Sequence, residues 1–385
     1  MSQQTAAPLP APPPDGALAA DEALAERLVT STIGALELFS IHIGRTLGLY
    51  DLLGRGPVTA EELADRAGIA FRYAREWLGQ QAVAGFLDAS DGDCEGSRTY
   101  RLTAAHRGVL LEPTDPAHAA PLADMVAGVA GVLDRLAGAF RTGDGVPYAE
   151  YGPAFRQGQG AVNRPVFVHD LPRWLRELTA VHDRLSGNAV GRIADVGCGV
   201  GWSTISLAEA LPEAFVDGYD SDPASIVEAR RHAADAGVDD RVSFHVADAA
   251  SESALAGPYD LVLVFEALHD LARPVEALRE ARSALSADGV VVVVDERVGE
   301  HFSAPGGEVE RLMWGWSVSH CLPASLAELP SAALGTALRP ATVHHLARQA
   351  GFASSRELPV EHAFFRLYLM TDRPSSPTPR QGETS

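Results

Sequence analysis

The chain has 385 residues and a formal charge of −20, enough length for two or three domains with a sizeable core. That charge repels phosphate backbones and argues against nucleic acid as the main partner. No apolar run is long enough for a membrane span, no secretion signal opens the chain, and Cys94, Cys198 and Cys321 form no CxxC pair, which together point to a reducing cytoplasm and no membrane partner.

Residues 1–20, rich in proline and alanine, read as disordered, as does the tail 374–385. Residues 21–112 read as a mainly helical domain. Over 33–53 the spacing puts Leu36, Phe39, Ile43 and Leu47 on one helical face. Thr59 caps a short helix, with Glu62 at capping-box spacing, and Gly68 ends it before a longer helix from about Arg72 to Val83. FLDAS and TYRLT then look like two strands joined by the polar DGDCEGS. Helix, short helix, turn, helix and hairpin resemble a winged-helix domain. A DNA reader needs a basic face, yet nine arginines stand against fourteen acids over 21–112. A packing and dimerisation role is therefore expected. Arg72 and Arg75 are the residues a DNA-binding alternative would use.

Residues 113–185 read as a helical linker interrupted by GDGVPYAEYGP. From 186 to 373 strands alternate with helices, the strands falling at 192–196, 214–220, 242–247, 259–265, 289–295, 354–359 and 364–371. Such alternation predicts an α/β domain whose parallel sheet is covered on both faces. Residues 299–337 break the alternation and read as a lid. Its Met313, Trp314 and Trp316 would face Tyr148 and Tyr151 across an acceptor pocket.

Three glycines, Gly197, Gly199 and Gly201, follow the strand 192–196 and precede a helix. Such a turn brings the backbone close to a ligand, at the positive end of the helix. Asp220 ends the next strand, about 20 positions on, where a ribose diol is usually held. Trp202 stands where a dinucleotide fingerprint wants its third glycine, so the pattern is G-x-G-x-G. Ligands in open α/β sheets bind beyond the carboxyl ends of the strands. At those ends lie Asp248 and Ala249, then Phe265, Glu266, His269 and Asp270, then Asp295 and Glu296.

DVGCGVGWST and GYDSDP resemble motif I and the ribose-binding acid of class I S-adenosylmethionine (SAM) methyltransferases. YGPAFRQGQGAVNRP, FEALHDLARPVEAL, VDERV, SHCLP and GTALRP extend the likeness to the winged-helix-bearing members common in actinobacteria. The resemblance implies a Rossmann-like sheet of seven strands, the last reversed, behind a dimer-forming winged helix. It also implies SAM as cofactor, held by Asp195, Gly197, Gly199, Gly201, Asp220, Asp248, Ala249 and Phe265, with Asp248 at the adenine amino group. The implied reaction is methyl transfer to oxygen, or to carbon, of a small specialised metabolite. Methylating a hydroxyl requires a base of near-neutral pKa, and histidine suits that unperturbed. His269 is the candidate base, with Asp270 and Glu296 beside it. Two alternatives stay open. His269, Asp270 and His320 together form a possible facial metal site, as in related enzymes acting on α-keto acids. The chain is otherwise a SAM-responsive regulator, or a SAM-fold enzyme that does not methylate.

Overall fold

The computed structural model describes residues 15–90, 97–187 and 191–373. The expected tail, the first fourteen residues and the DGDCEG of the expected wing lie outside them. Two compact units meet in sequence between Thr103 and Ala104, inside the stretch that the sequence reading gave to its first domain.

The first unit opens with a helix at Asp15–Thr46. Residues 15–20, expected to be disordered, belong to it because GALAADEALAERL is built from strong helix formers. The single helix expected over 33–53 is instead two. Gly48 takes the left-handed conformation (φ 65°) and a second helix, Leu49–Leu53, starts beyond it. Thr59 and Glu62 close the capping box of Ala60–Ala67, and left-handed Gly68 ends it. Phe71–Val83 follows. Strands β1 (Asp88–Ala89) and β2 (Tyr100–Arg101) pair antiparallel. Leu49, Tyr50, Leu53, Leu63, Trp77 and Leu78 fill the core. The face containing Leu36 and Ile43 is not part of it: Leu36 is 62% exposed, and Leu24, Leu28, Ile33 and Ile43 are exposed with it.

The second unit holds seven further strands. They are β3 (Arg192–Val196), β4 (Phe215–Asp220), β5 (Val242–Val246), β6 (Tyr259–Phe265), β7 (Leu285–Glu296), β8 (Ser354–Glu357) and β9 (Phe365–Thr371). The sheet order is β5-β4-β3-β6-β7-β9-β8. Neighbours from β5 to β7 pair parallel, while β9 runs antiparallel to both β7 and β8. Strand β7 starts earlier than expected, at Leu285, because its pairing with β6 is interrupted between Tyr259 and Leu261 and then resumes at Val290.

The apolar runs ADV, LVLVF and VVVVV place side chains on both sheet faces, and two buried clusters cover those faces. The segment 113–185 is no linker. Its helices, among them Pro121–Ala130, Gly152–Val162 and Leu171–Glu177, belong to the second unit. Trp174, fully buried, packs on Phe265 and Phe365. The chain leaves β3 toward β4 and β5, then returns to lay β6 on its other side. That reversal opens a crevice at the carboxyl ends of β3 and β6.

Candidate active site

A cavity of about 500 Å³ occupies that crevice. The turn after β3 forms one wall, and its three glycines serve different ends. All have positive φ, at 75°, 52° and 87°. A side chain on Gly197 would collide with Ala267, which follows β6. At Gly201 it would stand 2.8 Å from Ala229 and 2.9 Å from the Phe244 ring, so Gly201 lets the helix Trp202–Ala210 dock on its neighbours. Gly201 is not on the cavity wall. Gly199 is on the wall, and nothing lies within 4 Å of where its Cβ would be. The close approach expected of Gly199 and Gly201 together is therefore open at Gly199 only.

Asp195 also departs from expectation. Its carboxylate is buried and accepts from the Ser203 and Thr204 hydroxyls, both at 2.6 Å, fastening β3 to the next helix. It does not line the cavity.

Asp220, Asp248, Ala249 and Phe265 do line it. Asp220 accepts from the backbone N–H of Gly199 and of Asp222, each at 2.8 Å. Burial still raises its carboxyl to about 6. Asp248 pairs with Arg273, and Asp222 pairs with Arg156 at 2.6 Å. The arginines carry no recognised spacing of their own, but RQGQ and LARPV lie within stretches already singled out.

The turn after β6 brings His269 to the cavity wall as well, 3% exposed. Its Nδ1 lies 3.0 and 3.2 Å from the two carboxylate oxygens of Asp295, and 3.7 Å from Glu296. That contact makes Nδ1 the donor and leaves Nε2, 3.5 Å from Asp270, as the nitrogen free to take a proton. Burial alone would lower the imidazole's pKa, but Asp295, Asp270 and Glu296 together hold it well above 6.5. Burial raises Glu296 well above the ordinary carboxyl range, and raises Glu266, which is bonded to Asn163, to about 7. Burial would raise Asp295 as well, but the facing His269 keeps it low. The direct partner of the histidine is thus Asp295, not Glu296 or Asp270. The signal was an acid at the end of a buried valine run. Asn163 had no such signal.

Tyr148, Met313 and Trp316 line the cavity as expected. Tyr151 lies behind the wall, its hydroxyl donating to the Ser319 carbonyl, and Trp314 turns outward against Phe302. The set His269, Asp270 and His320 is not assembled. Among the described residues Cys321 takes the third place, with donor atoms of His269, Asp270 and Cys321 all within 4.8 Å of one another. His269, Asp295 and Glu296 form a second such group.

An open parallel sheet with a reversed strand beside β7, a G-x-G-x-G turn at the switch point and an acid ending the next strand define the class I methyltransferase fold. The chain joins such a domain to a winged helix: residues 189–338 match the methyltransferase-domain family, and residues 34–111 match the Rv2258c-like winged helix-turn-helix domain. Similar curated proteins include the 27-O-demethylrifamycin SV methyltransferase of Amycolatopsis mediterranei, 32% identical over 121 residues, or 30% of this chain and 44% of that protein. Nicotianamine synthase 2 of Oryza sativa subsp. indica is 36% identical over 117 residues, 29% of this chain and 36% of its own. The chain thus spans less than half the length of these relatives. Solved structures share the fold over nearly the whole chain. The mitomycin 7-O-methyltransferase MmcR is 22% identical with a TM-score of 0.59, covering 92% of this chain and 99% of its own. Human N-acetylserotonin methyltransferase in complex with SAM is 18% identical with a TM-score of 0.64, covering 90% and 97%.

Proposed function

We propose that this protein transfers a methyl group from SAM to a hydroxyl oxygen of a small, partly apolar acceptor, with His269 as general base. The observation that carries the reading is His269, buried on the cavity wall, with its Nδ1 paired to the buried Asp295. When bound, SAM supplies a methyl already activated by its positive sulfur. The open space at Gly199 and the acid at Asp220 suit its amino-acid and ribose parts. What remains for the protein is orientation and proton removal. Asp295 fixes the ring through Nδ1–H, so Nε2 takes the hydroxyl proton as oxygen attacks carbon. Leu122, Met125, Met313 and Trp316 give the acceptor an apolar seat.

The partners follow from the surface. An apolar stripe along Asp15–Thr46, exposed at Leu24, Leu28, Ile33, Leu36 and Ile43, suits a second copy of the chain better than DNA. Light scattering is expected to give a homodimer, and Leu36→Asp with Ile43→Asp a folded monomer. A cytoplasmic location fits the free, buried Cys198 and Cys321. Incubation with labelled SAM and extracts of the biosynthetic cluster around the gene tests the reaction, and label appearing on an oxygen supports it. Sequence-specific nanomolar binding to the adjacent promoter, with no transfer, would favour the regulator instead.

A further inference from the structure

His320 is one of the least exposed polar groups in the second unit, at 2%, and it lines the cavity. Its ring is tilted over Phe155 at 4.3 Å between centroids and meets Tyr151 edge-on at 4.7 Å. Burial among these rings drives its pKa down to about 4, so the imidazole is neutral at physiological pH. Its Nδ1 lies 3.5 Å from the Cys321 sulfur. Assigning the thiol hydrogen to this contact puts the imidazole's own proton on Nε2. That atom has no hydrogen-bond partner. Buried donors are rarely left unpaired, and this one sits on a π-helical turn, Ser317–Cys321, a distortion found most often at functional sites.

Two further buried oxygens without a hydrogen bond, Asp270 Oδ1 and Glu296 Oε2, belong to residues lining the cavity and make only ion-pair contacts of 3.5 and 3.7 Å with His269. They bias the site against an anionic group. A neutral N–H donor beside carboxyls calls for a neutral oxygen acceptor. Both histidines line the one cavity, and the Cys321 sulfur lies within 4.8 Å of donor atoms of His269 and Asp270 and 3.5 Å from His320 Nδ1. One small acceptor therefore meets both.

We propose that His320 determines acceptor specificity: its Nε2–H donates to a carbonyl oxygen of the acceptor, and the hydroxyl next to that carbonyl is the group that His269 deprotonates. The substrate class is then a planar hydroxy-carbonyl compound, such as an ortho-hydroxyaryl ketone, seated against Tyr148 and Trp316. This rests on the hydroxyl-methylation reading above.

The test uses the full chain and two probes that differ at one group, 1-hydroxy-2-acetonaphthone and 2-ethyl-1-naphthol. Binding is measured by calorimetry in the presence of the demethylated cofactor, and turnover with SAM. The ketone is expected to bind about tenfold tighter, the upper worth of one neutral hydrogen bond, with the gain in KM rather than kcat. His320→Phe should remove the preference while leaving cofactor and ethyl-probe binding unchanged. His320→Gln, which keeps an N–H donor, should retain part of it. Equal binding of the two probes, or binding of neither, overturns the inference, as does a preference that survives in both variants. Methyl transfer to both at equal efficiency overturns it while leaving hydroxyl methylation standing. Ketone preference without any transfer supports it and counts against the hydroxyl reading.

Discussion

The two ends of the cavity are built on different principles. At the cofactor end the acids are already engaged: Asp220 by two backbone N–H groups, Asp222 by Arg156 and Asp248 by Arg273. At the acceptor end Asp270 Oδ1 and Glu296 Oε2 have only the longer ion-pair contacts with His269, at 3.5 and 3.7 Å, and His320 Nε2 has no hydrogen-bond partner. Buried polar groups are normally satisfied, so the first end is finished in the free protein and the second is completed by what binds there. The difference fits a fixed cofactor shared by many proteins of one fold and an acceptor that belongs to this one.

Substitutions at each end should separate the two roles. The largest effect is expected for His269→Gln: turnover should fall by about 10²–10⁴, while calorimetry finds cofactor affinity nearly unchanged. Full activity in His269→Ala would show that orientation alone drives transfer. Asp220→Ala should act at the other end, weakening cofactor binding by roughly 1.5–3 kcal/mol, the worth of hydrogen bonds to a charged group. Binding of NADH in place of SAM would undo the assignment of that end altogether.

Acidity sharpens the comparison further. A base works only when neutral, and Asp295, Asp270 and Glu296 hold the His269 imidazolium well above 6.5. The pH profile of kcat/KM in the free enzyme should therefore rise along a limb centred above 6.5. Asp295→Asn removes the closest of these charges and should move the limb to lower pH while also lowering the plateau, because the ring loses its anchor. A limb that stays in place would separate His269 from the rate. The smallest effect is expected from chelation. If His269 works as a base, EDTA should leave turnover unchanged. Loss of activity restored by added metal would instead make His269, Asp270 and Cys321 a ligand set.

How far the residues announced this arrangement depends on the kind of signal. Strands β3 and β6 were legible to the residue, since short apolar runs bounded by glycine, proline or acid have few other readings. The break at Gly48 was not, because an isolated glycine inside a helical pattern lowers confidence without marking a stop. The linker reading of 113–185 failed for a tertiary reason: helical periodicity does not say which unit a helix packs against. At the site, Gly199, Asp220 and His269 were readable because they sit at fixed offsets from strand ends. Asp195 and Gly201 sit at equally fixed offsets, yet the Asp195 carboxylate is taken up by Ser203 and Thr204, and Gly201 serves the close packing of Ala229 and Phe244. Tyr151, Trp314 and the exchange of Cys321 for His320 lay beyond reach. They belong to a 3₁₀ turn, a helix flank and a π-turn. A π-turn shifts the register away from the 3.6-residue period on which any sequence reading of a helix depends.

The contact between Gly197 and Ala267 carries a consequence of its own. It is the place where the loop leaving β3 rests against the loop leaving β6, with no room for one more carbon between them. Two residues beyond Ala267 stands His269. The proposed cradle for the methyl donor and the proposed base thus bear on one another like two stones of an arch, and a shift in one is felt by the other.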